Sequence, residues 1–358
     1  MSNKILLGLV VILVVLIAIV TFGNKGNTTP ENSEQIKIGL VLPLTGPYAE
    51  MGNYFKQGYE WKVEELQKAG VPIKLYIEDT ASDNKQAVSA FSKLVDTDGV
   101  KIVFTTISSV SMLLKPIAEE KHVLLWADAS HPRLMDGTSY LLRHSNVATD
   151  HVKYIFDAAK RAGAKKIGLI YQADDFGLAV RDYTEATAKQ AGFEIVAEQV
   201  QVGSNDFRSS LSKLVAQKVD FMSHVVAGPG AGILIKQSRD IGFKGGIHSY
   251  GVGLSPAAAE TAGVAAKGVY YQAFVPNANF SADYEAKYGQ IAGKTNLSYL
   301  TYTDMEILAK AIQGTGDSTP EKLIAYIKAM GQFTGKYDKA VMKPNGDMIL
   351  TTETRQWE

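Results

Sequence analysis

Small and hydroxyl-bearing residues stand where three of the predicted strands end and the next segments begin. They are Thr45 and Gly46 after the first strand, Thr106, Ser108, Ser109 and Ser111 after the third, and Ala129 and Ser130 after the fourth. Backbone N–H groups in the first turn of a helix lack intrahelical partners, and the helix dipole favours a negative group beside them. Three such strand ends on one sheet edge predict a wall that binds a carboxylate, whereas any single one also fits ordinary helix capping.

The other reactive residue types do not form a catalytic or metal-binding pattern. The chain has no cysteine, which excludes disulfides, thiolate metal sites and a cysteine nucleophile. It has no G-x-S-x-G segment, and its six histidines show neither H-E-x-x-H nor a short paired spacing. Asp174 and Asp175 are adjacent carboxylates, but neighbouring loop residues point apart, which favours a solvated loop. We therefore expect a protein that is not an enzyme and that holds no cofactor and no metal.

The segment VVAGPGAGIL, residues 225–234, stands between a strand and a helix, where a dinucleotide-binding fingerprint would stand. Gly228 and Gly230 fit the first two glycines of that fingerprint, but the third falls at Gly232, one position early. The following strand, IHSYG, ends without the acidic residue that would hold a ribose. The pattern therefore favours a tight turn that leads into a helix.

The charge balance and the N-terminus indicate where the protein works. The 358 residues include 37 basic and 37 acidic ones, and no run is rich in Lys or Arg. The sequence therefore does not predict a basic surface that binds nucleic acid. Residues 5–22 form an uncharged apolar run after Lys4, and a helix there would be about 27 Å long, enough to cross a bilayer. We interpret 1–23 as a membrane anchor, with a cleaved signal peptide as the alternative, and 24–35 as a linker to an extracytoplasmic domain.

Beyond the linker, strand-like and helix-like segments alternate in two successive series. The predicted strands are 36–42, 73–79, 100–105 and 122–128, and then 165–172, 193–200, 219–227 and 246–251. Apolar residues at helical spacing lie between them. This order predicts an α/β fold of two doubly wound parallel-sheet lobes, whose strand ends face a ligand crevice. Residues 276–330 are predicted to be helical, and 333–358 to form a β-hairpin with KPNGD at its tip.

Several segments carry a resemblance to a known family. They include IKIGLVLPLTGPYAEMGNYFKQGYE, YIEDTASDNKQAVSAFSKLV, IGLIYQADDFGLAVRDYTEA and YTDMEILAKAI, which occur in family order over nearly all the chain from Ile36. The chain is similar to the type I periplasmic binding proteins, specifically the branched-chain amino-acid (Leu/Ile/Val) binding proteins of ABC importers. The resemblance implies lobe one at 36–150 and 276–332, lobe two at 151–275 and 333–358, and crossovers near 150, 275 and 333. It also implies a monomer that closes over a small ligand and is recognised by a membrane permease.

The resemblance further implies a set of ligand-binding positions. In lobe one, a loop position that is often aromatic in the family falls on Met51, and the serine that holds the ligand carboxylate falls on Ser108, with Ser109 beside it. The following strand end falls on Ala129 and Ser130, and a possible gap there keeps Asp128 and His131 as contributors. In lobe two, the implied positions are Phe176, Ala227 and Gly251.

Gly251 is the departure with the largest consequence. In the family this position is acidic and pairs with the ligand's α-ammonium, and an unpaired buried charge is costly. Asp128, Asp174 or Asp175 could take its place, or the ligand could lack an ammonium. Branched-chain amino acids are the family default, and an aromatic acid, an amide or another small carboxylate stays open.

Two functions of different class follow from this resemblance. The first is the solute-binding protein of an importer, and the second is a membrane-tethered sensor that reports its ligand to a receptor. The same fold serves both. Adjacent permease and ATPase genes would favour the first, and an adjacent kinase or receptor gene the second.

Overall fold

The structure is a computed structural model, and it describes residues 35–289 and 296–358. The predicted membrane anchor at 1–23 and nearly all of the linker at 24–35 lie outside these residues. Within the described ranges, no helix combines the length and the apolar character that a membrane crossing needs.

The strands and helices alternate along most of the chain. The strands are β1 (Ile36–Leu42), β2 (Ile73–Asp79), β3 (Ile102–Thr106), β4 (Leu124–Asp128), β5 (Leu141–His144), β6 (Lys166–Gln172), β7 (Glu194–Val200), β8 (Phe221–Val225), β9 (Gly246–Ser249), β10 (Tyr270–Phe274), β11 (Gln332–Thr334), β12 (Lys339–Met342), β13 (Asp347–Ile349) and β14 (Thr352–Gln356). The helices are α1 (Ala49–Lys68), α2 (Asn84–Ser92), α3 (Ser108–Lys121), α4 (Ala148–Arg161), α5 (Asp175–Ala191), α6 (Arg208–Ala216), α7 (Pro229–Asp240), α8 (Pro256–Ala262), α9 (Phe280–Tyr288), α10 (Ser298–Thr315) and α11 (Pro320–Met330).

Two sheets divide the described residues into two lobes. The first sheet has the order β11-β12-β13-β5-β4-β3-β1-β2, and the second has the order β14-β10-β9-β8-β6-β7. Their central strands pair in parallel, as Leu40 with Phe104 in the first sheet and Leu169 with Ser223 in the second. We call the part built on the first sheet lobe one and the part built on the second lobe two. The predicted two-lobed α/β fold is confirmed.

The chain crosses between the lobes at 145–147, 275–279 and 350–351. The prediction that all of 333–358 belongs to lobe two was therefore wrong, as was the predicted third crossover near 333. Strands β12 and β13 form the predicted hairpin, but β13 pairs in parallel with β5 of lobe one. A buried ion pair holds this register, since Arg143 Nε lies 2.7 Å from Asp347 Oδ1. Only β14 joins the second sheet.

Buried aromatic side chains support the central strand ends of lobe one. The Tyr59 and Phe104 ring centroids are 4.8 Å apart, and those of Phe104 and Trp126 are 5.2 Å apart. All three rings are fully buried, and burial of one such side chain contributes about 1.5–3 kcal/mol. The ends of β3 and β4 therefore rest on a closely packed layer, which positions the residues that follow them.

Candidate ligand-binding site

A cleft lies between the lobes, at the carboxyl ends of their central strands. Lobe one contributes Tyr48, Met51, Phe55, Thr106, Ile107, Ser108, Asp128, Ala129, Ser130 and Leu297. Lobe two contributes His151, Gln172, Asp174, Phe176, Tyr250 and Phe274, and the crossovers contribute Ser145, Asn146 and Leu350. The cavity volume is about 90 Å³, which suits a small molecule rather than a chain segment.

Hydrogen-bond donors of lobe one converge where β3 leads into α3. Ile107 has a φ of +69°, and this unusual conformation turns the chain so that α3 begins at Ser108. Within the described residues, no side chain caps this helix, so its first N–H groups remain available. Ser108 is buried and lines the cleft. The Thr106 hydroxyl donates to the Asp128 carbonyl over 2.9 Å and joins the two strand ends.

The first strand end differs from the other two in what its hydroxyl group binds. The Thr45 hydroxyl donates to Asp79 Oδ2 over 2.7 Å, and the Leu44 N–H donates to Asp79 Oδ1 over 2.8 Å. Burial acts to raise the pKa of Asp79, but these bonds lower it overall. Thr45 therefore shapes the loop, and its hydroxyl is not one of the donors of the predicted carboxylate-binding wall. The loop instead brings Tyr48 and Met51 to the cleft.

Aromatic rings form much of the lobe-two wall. The Phe176 and Tyr250 ring centroids are 5.3 Å apart, and those of His151 and Phe176 are 5.2 Å apart. Asp174 caps α5 by accepting the Gly177 N–H over 2.7 Å, which places Phe176 in the first turn. His151 Nδ1 lies 2.6 Å from Gln272 Oε1, and burial lowers the pKa of His151 to about 4. This imidazole is therefore neutral near pH 7.

Direct bonds join the lobes across the mouth of the cleft. The Tyr48 hydroxyl donates to Asp174 Oδ2 over 2.5 Å, and the Ser255 hydroxyl donates to Glu50 Oε2 over 2.6 Å. A Cβ added to Gly228 of lobe two would lie 2.4 Å from the Pro47 carbonyl oxygen of lobe one. These contacts describe a closed arrangement of the lobes.

The two carboxylates of the cleft have perturbed proton affinities. Burial raises the pKa of Asp128 to about 7, although a hydrogen bond from Ser145 acts to lower it. Burial also raises the pKa of Asp174, against the effect of the bond from Tyr48. Such shifts are typical of carboxylates that lack a cationic partner.

The structure brings six of the nine predicted site residues together. These are Met51, Ser108, Asp128, Ala129, Ser130 and Phe176, and their roles in ligand binding stay predictions. Ser109, Gly251, His131 and Asp175 are not part of the lining of this cleft, and Ala227 lines a small adjoining pocket with Pro47 and Gly228. The cleft residues that sequence reasoning did not select include Tyr48, Asn146, His151, Gln172 and Tyr250. Gln172 and Tyr250 stand at predicted strand ends, which was the available signal for them.

Two parallel-sheet lobes that close over a small cleft through three crossovers define a bilobal solute-binding protein. A family model described as "Periplasmic binding protein" matches residues 35–357, and the chain belongs to this family. Because the family consists of solute-binding proteins, the prediction that the chain is not an enzyme is confirmed. Membership also implies an extracytoplasmic location.

Three relatives illustrate the similarity. The leucine-, isoleucine-, valine-, threonine- and alanine-binding protein of Pseudomonas aeruginosa is 28% identical over 314 residues, which cover 83% of each chain. A leucine-binding protein from Thermotoga maritima has a TM-score of 0.84 at 22% identity and covers 90% of this chain and 95% of its own. An ABC-transporter solute-binding protein from R. palustris in complex with benzoate has a TM-score of 0.82 at 19% identity, covering 91% and 94%. The predicted resemblance to the Leu/Ile/Val-binding proteins is confirmed.

Proposed function

We propose that this chain is the extracytoplasmic solute-binding protein of an ABC importer, and that it binds a small amino acid or a related carboxylate or amide. The closed cleft carries this proposal. One wall offers the free N–H groups of α3 with the Ser108 hydroxyl, and the other offers the Phe176 and Tyr250 rings. Such a site can hold a small polar solute by hydrogen bonds and apolar contacts without chemical change. The names of the relatives support an amino acid as the solute.

Binding and closure are one process in this proposal. The solute carboxylate docks at the N-terminus of α3, where the dipole and the N–H groups favour an anion. Lobe two then closes, and the Tyr48–Asp174 and Glu50–Ser255 bonds form across the mouth. A permease partner recognises the closed form. The apolar run at 5–22 holds the protein at the membrane, with a cleaved signal peptide as the alternative.

A thermal-shift screen tests the solute class. The full chain, purified in mild detergent, is heated with single amino acids, aromatic acids and amides. A solute at 100 times its Kd stabilises the folded state by about 2.7 kcal/mol, so at least one of these classes should raise the Tm by several degrees. A flat response to all three classes would contradict the proposal.

An uptake assay tests the importer role. Cells that lack this chain should lose uptake of the solute identified by the screen, and the restored gene should return it. Intact uptake together with loss of a response to the solute would instead favour a membrane-tethered sensor.

A further inference from the structure

The charged side chains of the cleft are acidic. Among the described residues, Asp128 and Asp174 line it, and no Lys or Arg does. His151 is neutral near pH 7 because burial lowers its pKa to about 4. A solute that carried only a carboxylate would bring a negative charge to a site with two acidic groups and no cation. The free-energy cost of taking that carboxylate out of water would not be offset by a cationic side chain of the cleft.

Asp174 already has strong hydrogen-bond partners. Its Oδ1 accepts the Gly177 N–H over 2.7 Å, and its Oδ2 accepts the Tyr48 hydroxyl over 2.5 Å. These bonds cap α5 and join the lobes. Both carboxylate oxygens of Asp174 therefore already accept hydrogen bonds that stabilise α5 and the closed lobes.

Asp128 has no comparable set of partners. In the described part of the chain, it forms no ion pair, and the hydroxyl of Ser145 is the one side-chain donor that lowers its pKa. The register places Asp128 opposite Thr106, two residues before Ser108. Asp128 therefore ends the strand next to the one that leads into α3, and Asp128 and Ser108 both line the cleft from lobe one.

The neighbouring imidazole of His144 is surrounded by several carboxylates besides Asp128. His144 Nδ1 lies 2.6 Å from Asp304 Oδ1, and its Nε2 lies 3.8 Å from Asp338 Oδ2. Burial alone would lower the pKa of His144, but Asp304, Asp338 and, as the smallest contribution, Asp128 raise it. His144 pairs directly with Asp304 and Asp338, and it acts on Asp128 less than burial does. Asp304 also raises the pKa of Asp128. Asp128 also acts to raise the pKa of the buried Tyr59 and Tyr299 hydroxyls, which are neutral groups and do not balance its charge.

Lobe two cannot supply an acidic partner from position 251. A Cβ added to Gly251 would lie 3.1 Å from two atoms of the Phe274 ring and 3.3 Å from the Gln272 carbonyl oxygen. A longer acidic side chain would need Phe274, which itself lines the cleft, to move.

We propose that the solute carries an ammonium group and that Asp128, from lobe one, provides its counter-charge; this inference rests on the proposed solute-binding function. The solute carboxylate then meets Ser108 and the N-terminus of α3 on the neighbouring strand end. The ammonium and the carboxylate of an α-amino acid are bonded to the same carbon, so they can meet partners at two adjacent strand ends. The Phe176 and Tyr250 rings line the cleft from lobe two, and the face of an aromatic ring attracts a cation. The solute class in this proposal is therefore an ammonium-bearing acid rather than a benzoate-like acid.

Calorimetry with matched solute pairs tests this inference on the full chain. Each of the twenty L-amino acids is screened, and the tightest is compared with the acid of the same skeleton that lacks the amino group, such as leucine with 4-methylpentanoate. Benzoate is measured beside them. We expect the amino acid to bind roughly 10- to 100-fold more tightly than its des-amino acid, because a hydrogen bond between charged groups is lost.

The variant Asp128→Asn keeps the shape of the side chain and removes its charge. It should lower the amino-acid affinity by roughly 10- to 100-fold and reduce the preference over the des-amino acid. Asp157→Asn, which makes the same change on the exposed side of α4, should leave both affinities unchanged. Tight binding of a des-amino acid or benzoate, or unchanged binding by Asp128→Asn, would overturn the inference and leave the solute-binding function intact. Binding of none of these compounds would overturn both.

Discussion

At the scale of single residues, the site depends on one strained position. Ile107 has a φ of +69°, a conformation that β-branched residues rarely adopt and that costs about 1–3 kcal/mol. Its half-buried side chain packs against one apolar cluster in lobe one and against the cluster that contains Tyr48 and Phe176. These contacts stabilise the strained conformation of Ile107, and that conformation determines that α3 begins at Ser108. The sequence carries no signal for this conformation, because the residue type argues against it.

Removal of the Ser108 hydroxyl should weaken carboxylate solutes. Ser108→Ala deletes one donor at the N-terminus of α3, and a lost hydrogen bond to a charged group costs about 1–3 kcal/mol. Calorimetry with the amino acid that binds best measures this change. Ser109→Ala, one residue further and outside the lining, should have a smaller effect. Equal affinity of Ser108→Ala and the parent protein would remove Ser108 from the site.

Buried histidines of lobe two make stability depend on pH. Burial lowers the pKa of His224 and of His248 to about 3, whereas an unfolded histidine titrates near 6.5. The unfolded chain therefore binds more protons between about pH 6.5 and 3, so stability falls as the pH falls through this window. For His224 alone, the loss between neutral pH and pH 5 is about 2 kcal/mol.

His224→Leu should reduce this acid sensitivity. Both ring nitrogens of His224 are buried without a partner in the described residues, so leucine removes a proton acceptor and breaks no bond found there. Urea unfolding at pH 7 and pH 5 should show a difference smaller by about 2 kcal/mol than in the parent protein. His122→Asn changes an exposed ring in a left-handed position that asparagine tolerates, and it serves as the control. An unchanged pH difference in His224→Leu would contradict the assignment.

At the scale of elements, one hydroxyl links strand ends of lobe two to the first and third crossovers. Thr352, the first residue of β14, lies 3.1 Å from Asn146 Nδ2, 3.1 Å from Gln272 Nε2 and 2.5 Å from the Tyr154 hydroxyl. Gln272 in turn meets His151, which lines the cleft. This network connects the strand ends of lobe two to the first and third crossovers.

Thr352→Val should destabilise the free protein by about 1–3 kcal/mol, because it leaves polar groups of the network without a partner. Urea unfolding measures the change. Thr354→Val, two residues along the same strand, has no side-chain hydrogen bond among those formed by the described residues and should cost less. Equal costs for the two variants would show that the hydroxyl of Thr352 contributes little.

The elements were predictable where periodicity and length were clear. Strands β1 and β2 begin and end where the apolar runs predicted, and the main helices follow from 3.6-residue spacing. The four-residue β5 was missed, since a run that short is not distinguishable from a loop. Because the path of the chain after β4 was not predicted, Ser145 and Asn146 could not be assigned to the cleft. The docking of β13 beside β5 depends on the Arg143–Asp347 pair, a contact between residues distant in sequence.

At the scale of the whole molecule, function in this proposal depends on the balance between open and closed lobes. The closed form has few direct interlobe bonds, chiefly those of Tyr48 and Glu50. A solute that touches both lobes adds its own contacts to the closed form alone, and this difference shifts the population toward closure. The close approach of Pro47 to Gly228 also means that closure leaves no room for a side chain at position 228.

Gly228→Ala should therefore hold the lobes apart. Gly228 has φ +65° and ψ −156°, and an added Cβ would lie 2.4 Å from the Pro47 carbonyl oxygen. Gly263→Ala is a matched control, because Gly263 has similar angles of +57° and −134° but no atom within 4 Å of the added Cβ. Both variants should lose stability through backbone strain, by about 1–3 kcal/mol. Only Gly228→Ala should also bind the solute more weakly and keep a larger radius of gyration in X-ray scattering at saturating solute. If both variants close and bind the solute equally well, the approach of Pro47 to Gly228 does not limit closure. The Tyr48–Asp174 and Glu50–Ser255 bonds must then form with the lobes further apart at position 228.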